Sequence, residues 1–78
     1  MSAIDEILWV LKDGEWHDLK EITKKLALPK IKAEIAVSFL GEYDFIQLNK
    51  NDRRVKLQPS TLEFIKEIQR LEKETLSH

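Results

Sequence analysis

The 78-residue chain reads as an α+β fold, mainly α, with a three-helix core, a β-hairpin and an additional C-terminal helix. Three observations predict it. Apolar residues recur at helical spacing in four separate stretches, Leu28-Pro29 sets a stop and a start between two of them, and residues 45–58 alternate like two paired strands. Residues 1–58 form the core and hairpin. Residues 59–78 form the last helix, a packing or dimerisation extension of the same domain.

The first helix opens at Ser2, an N-cap with Asp5 three residues on. Ile4, Ile7, Leu8 and Leu11 then mark one face, and Asp13-Gly14 ends it because glycine accepts the left-handed conformation after a last turn. Glu15-Trp16-His17 is too short to assign alone, and Trp16 is expected to cover core or hairpin. The second helix starts at Asp18, with Glu21 placed to complete a capping box, and Leu19, Ile22 and Leu26 give its apolar stripe.

Pro29 disfavours helical geometry at Leu28, so the second helix finishes by about Ala27, while proline suits the start of the next. A stop and a start so close together make a helix-turn-helix. The third helix is expected over Pro29–Leu40, ending at Gly41. Ala33, Ala36, Val37 and Leu40 share one face, and Ile31, Ile35 and Phe39 form a second apolar line about 150° round. Ile46 and Leu48, then Val55 and Leu57, alternate with polar residues on either side of Lys50-Asn51-Asp52-Arg53. Pro59 ends that hairpin, Ser60 or Thr61 is expected to cap the last helix, and Phe64, Ile68, Leu71 and Thr75 follow a 4-3-4 spacing that suits pairing with a second copy.

Composition narrows the class. The net charge is −1, split as −2 over residues 1–28, +2 over 29–58 and −1 over 59–78, so only the middle third is basic. Without cysteine there is no disulfide framework or thiolate metal site, which points to a reducing, cytoplasmic setting. No apolar run approaches the roughly 18 residues of a membrane span, and no signal peptide precedes Ser2. His17 and His78 have no metal-ligand spacing, and there is no Gly-rich phosphate loop or cysteine nucleophile. Neither catalysis nor a cofactor is expected.

Three runs, from Trp16 to Ile22, Leu26 to Lys30 and Ser38 to Glu42, together with Phe45-Ile46 and Val55-Lys56-Leu57, resemble the winged helix-turn-helix family. The likeness is strongest to small archaeal transcription regulators with a C-terminal dimerisation helix, and it spans roughly residues 4–76. It implies duplex DNA binding as a homodimer, with the third helix in the major groove, the hairpin as a wing on the adjacent backbone, and Glu15-Trp16-His17 as a small strand joining the wing sheet. The contacts would be Lys24, Lys25, Lys30, Lys32, Ser38, Lys50, Asn51, Arg53 and Arg54, and the dimer interface Phe64, Ile68, Leu71 and Thr75. Ile31 and Ile35 occupy positions that are usually polar in the family, and they cannot hydrogen-bond a base edge. Phosphate grip is therefore expected to outweigh base reading. The alternative is a protein–protein interaction module whose partner meets Ile31, Ile35 and Phe39, provided that line is exposed.

Overall fold

The computed structural model describes residues 2–76, except for the side chain of Leu76. The side chain of Leu76, expected beside the apolar stripe of the last helix, and the terminal His78 lie outside what is described. Among the described residues the architecture is mainly helical, with four α-helices and a three-stranded antiparallel sheet.

Helix α1 (Ala3–Val10) starts as expected, with the Ser2 hydroxyl accepting from the Asp5 backbone N–H at 3.2 Å. It tightens into a 3-10 turn (Leu11–Asp13) and stops at Gly14, whose φ of 77° is left-handed. That glycine is also a close approach: a Cβ there would sit 2.9 Å from Cδ2 of Leu62 in the last helix. Strand β1 is His17–Asp18, so the short strand begins at His17 and excludes Glu15 and Trp16. Trp16 stays partly exposed beside the sheet, with the Lys56 ammonium 5.2 Å from its ring centre.

Helix α2 (Leu19–Leu26) is capped by Asp18, whose carboxylate accepts from the Lys20 N–H at 2.8 Å. Its end is a Schellman motif without glycine. Leu28 N–H donates to the Thr23 carbonyl (3.0 Å), Ala27 N–H donates to the Lys24 carbonyl (3.3 Å), and Ala27 takes φ 52°. Pro29 then leads into α3 (Lys30–Glu42). This helix runs two residues beyond the expected Leu40, with Gly41 inside it. Its stop is a second Schellman motif, in which Phe45 N–H donates to the Leu40 carbonyl (2.9 Å) and Asp44 takes φ 60°.

Strands β2 (Ile46–Asn49) and β3 (Arg54–Leu57) pair in the register Ile46↔Leu57 to Asn49↔Arg54, and β1 joins the other edge of β3, giving the order β1-β3-β2. The Leu19 N–H donates to the Arg53 carbonyl (3.0 Å), tying the start of α2 to the hairpin loop. Helix α4 (Pro59–Leu76) begins at Pro59, ahead of the expected cap at Ser60 or Thr61. Proline fits there because the first-turn N–H groups have no intrahelical partner, and Leu62 N–H already donates to the Gln58 carbonyl.

The core gathers Ile7, Val10 and Leu11 from α1 and its turn, Leu19 and Ile22 from α2, Ala36, Val37 and Leu40 from α3, and Ile46, Val55 and Leu57 from the sheet. Each large aliphatic side chain fully buried there is worth about 1.5–3 kcal/mol relative to exposure. Among the described residues of α4, the hydrophobic side chains that pack against this cluster are Leu62 and Ile65; the later turns project, and the molecule measures 44 × 24 × 19 Å. No described helix is long and apolar enough to cross a membrane.

Candidate functional site

Helix α3 positions the candidate surface. Ala33, Ala36, Val37 and Leu40 turn inward and fix its rotation, so the opposite face is presented outward. On that face Ile31 is 70%, Ile35 67% and Phe39 42% exposed, which settles the second apolar line as surface rather than core. Tyr43 continues the row at 60% exposure, its ring centre 4.8 Å from that of Phe39. The i, i+4 spacing that would have included Tyr43 was hidden by reading Gly41 as the helix stop. A shallow depression of about 450 Å³ runs along this face, lined by Ile31, Glu34, Ile35, Ser38, Phe39 and Glu42.

The cations expected to meet phosphate are only partly gathered. Lys30, Asn51 and Arg53 line one cleft of about 380 Å³ between the starts of α2 and α3 and the hairpin loop. Ser38, Lys50 and Arg53 line a neighbouring hollow of about 350 Å³. Lys24 and Lys25 close the last turn of α2, Lys32 lies on the far edge of α3, and Arg54 begins β3; none of these four lines either cleft.

Acids share this region. Glu34 draws Lys30 (3.9 Å) and Arg53 (3.6 Å), and Asp52 reaches Arg54 at 4.0 Å. The first cleft therefore balances Lys20, Lys30 and Arg53 against Asp18, Glu34 and Asp52, and carries no net positive field. Arg53 also sits at φ 55° in the hairpin loop, a left-handed conformation that aims its side chain across the gap toward α3.

The four dimer candidates lie on the projecting part of α4. Phe64, Ile68 and Leu71 are exposed, and the Thr75 hydroxyl donates back to the Leu71 carbonyl at 2.9 Å. Glu67 and Glu74 edge this stripe on one side, both bound by Arg70, and Glu72 edges the other.

One cluster escaped the sequence reading. The His17 ring, with its side chain 11% exposed, meets Asp13 through Nε2 (2.9 Å) and Glu21 through Nδ1 (2.9 Å). Glu21 is thus engaged by His17. Two carboxylates on one ring require both nitrogens to donate, which is the imidazolium form. Burial pushes the His17 pKa down, but the hydrogen bonds the ring donates to Asp13 and Glu21 outweigh it and hold the pKa above the usual histidine value. The hydrogen bond with His17 in turn lowers the Asp13 pKa. Among the described residues no group of three or more His, Cys, Asp or Glu side chains is placed to hold a metal ion.

The chain matches no family model, and it has no significant match among curated proteins or solved structures.

Proposed function

We propose that the chain is a winged helix-turn-helix interaction module that binds a protein partner along the outer face of α3. The carrying observation is the exposed row Ile31-Ile35-Phe39-Tyr43, three large apolar side chains in line on α3 and a fourth at its cap. Such a row costs solubility when left bare and usually marks an interface. The three-residue turn between α2 and α3, the hairpin that follows, and β1 closing its edge support the winged-helix reading. The role proposed is binding without catalysis.

Duplex DNA is the second reading, favoured by Lys30, Lys50, Asn51 and Arg53 converging beside α3; Lys24, Lys25, Lys32 and Arg54 would add phosphate contacts outside the two clefts. On that reading phosphates do the holding and Ser38 touches backbone. Two copies would pair through Phe64, Ile68, Leu71 and Thr75 of α4, with Arg70 neutralising Glu67 and Glu74 beside the stripe.

Sedimentation of the chain with a labelled duplex, at rising salt, separates the readings. The protein-partner reading expects no duplex complex even at low salt. A complex that weakens steeply with salt, and less steeply in R53A, would overturn it in favour of DNA. The same runs report the free mass: a dimer for the full chain and a monomer for a version ending at Glu67. Equal monomeric masses would remove the pairing proposal.

A further inference from the structure

The outer face of α3 has a chemistry that narrows what can cover it, and from it we infer that the occupant is an amphipathic helix of another protein, with an apolar row edged by Lys or Arg. This rests on the protein-partner reading above. The apolar row runs from Ile31 to the cap residue Tyr43, 12 steps of about 1.5 Å or about 18 Å, which is the contact length of three turns of a second helix. Side chains four apart form the ridge that packs between the ridges of a crossing helix. Its depression is lined by Ile31, Ile35 and Phe39 for apolar side chains, and by Ser38 for a polar one.

Charge selects the partner. Among the described residues, the charged side chains lining that depression are Glu34 and Glu42, while the exposed Lys32 stands at the other edge of the row. Glu34 leans toward Lys30 and Arg53 at the hairpin side, whereas Glu42 has no ion pair among the described residues. An apolar helix with Lys or Arg beside its row places a cation at Glu42 while its apolar side chains cover the isoleucines. A second copy is a poorer occupant. An antiparallel α3 sets the Glu34–Glu42 edge against the same edge of its neighbour. The exposed stripe of a neighbouring α4 is edged by Glu72 and by the Glu67 and Glu74 that Arg70 already binds, so it sets a carboxylate and no uncompensated cation against Glu42. Like charges brought together at an interface suppress the pairing.

The test uses the full chain labelled with ¹⁵N and two synthetic 18-residue helical peptides. Both carry the same leucine row at i, i+3, i+4 and i+7 spacing; one has Lys and Arg beside the row, the other Glu. The basic-edged peptide is expected to shift the amides of Ile31, Ile35, Phe39 and Tyr43 and to bind about tenfold more tightly than the acidic-edged one. E42K should erase most of that preference. I35D should abolish binding with an unchanged melting temperature, because Ile35 stands in solvent. Equal affinity for the two peptides, or shifts confined to α4, would overturn the charge assignment. A dimer of the free chain that I35D dissolves would also overturn it and give the face to a second copy. Duplex DNA shifting the α3 amides would instead overturn the protein-partner reading, so the two failures are distinguishable.

Discussion

On one side of α3, Ala33, Ala36, Val37 and Leu40 are buried, while on the other the larger Ile31, Ile35 and Phe39 stand in solvent. Both sides are apolar, so hydrophobicity alone did not choose the face. Size contributed: alanines let the α1 and α2 backbones come close, and a face of isoleucines would hold them apart. The difference teaches that the apolar residues of a small domain serve two purposes. On α3 the alanines let the neighbouring helices close over the core, while Ile31, Ile35 and Phe39 are left as surface.

The comparison breaks first at Leu40 and Ile35. L40A, at a site 1% exposed, should lose about 2–5 kcal/mol, whereas I35A should stay within about 0.5 kcal/mol. Urea unfolding of the two variants measures both. Similar losses would mean that the outer row is held by the fold after all.

A smaller effect separates the core from the outer face by pH. The folded-state pKa of His17 is raised, so its contribution is complete below the unfolded value of about 6.5 and is lost as pH rises through the folded value. Asp13 has a lowered folded-state pKa, so its contribution is present above about 4 and is lost as pH falls through the folded value. Stability from the pair should therefore be greatest between about pH 4 and 6.5. Thermal melts from pH 5 to 8.5 should show a fall that H17N lacks, with no accompanying change in the environment of Phe39 or Tyr43. A parallel fall in H17N would assign the pH dependence elsewhere.

The smallest expected change lies in the turn that aims α3. Ala27 is exposed and left-handed, so A27G should relieve strain and stabilise by about 0.5–1 kcal/mol without turning either face. A loss of stability on denaturant titration would mean that the freedom glycine gains in the unfolded chain outweighs the relief.

The helical periods and the hairpin alternation made most of the fold legible. The ends of the elements were not, for a specific reason. Gly41 looks like a helix stop, yet the left-handed residue that terminates α3 is Asp44, just as Ala27 terminates α2. Neither residue type announces that conformation. His17 was hidden because Asp13, His17 and Glu21 are spaced as on one helix, while the chain between them passes through Gly14 and a strand. The two apolar lines on α3 could be drawn from the sequence. Which of them the body would cover depended on packing in three dimensions, and that decided the functional reading.

The seating of α4 carries a mechanical consequence. Its foot rests on Leu62 against Gly14, a spot where no side chain fits beneath, and its last inward contact is Ile65. About 11 residues extend beyond that point, an arm of roughly 17 Å at 1.5 Å per residue. A tilt of about 10° at the foot sweeps the far end through roughly 3 Å on that geometry. The helix is thus a lever seated on Leu62 and Ile65, with the bare backbone of Gly14 beneath its foot.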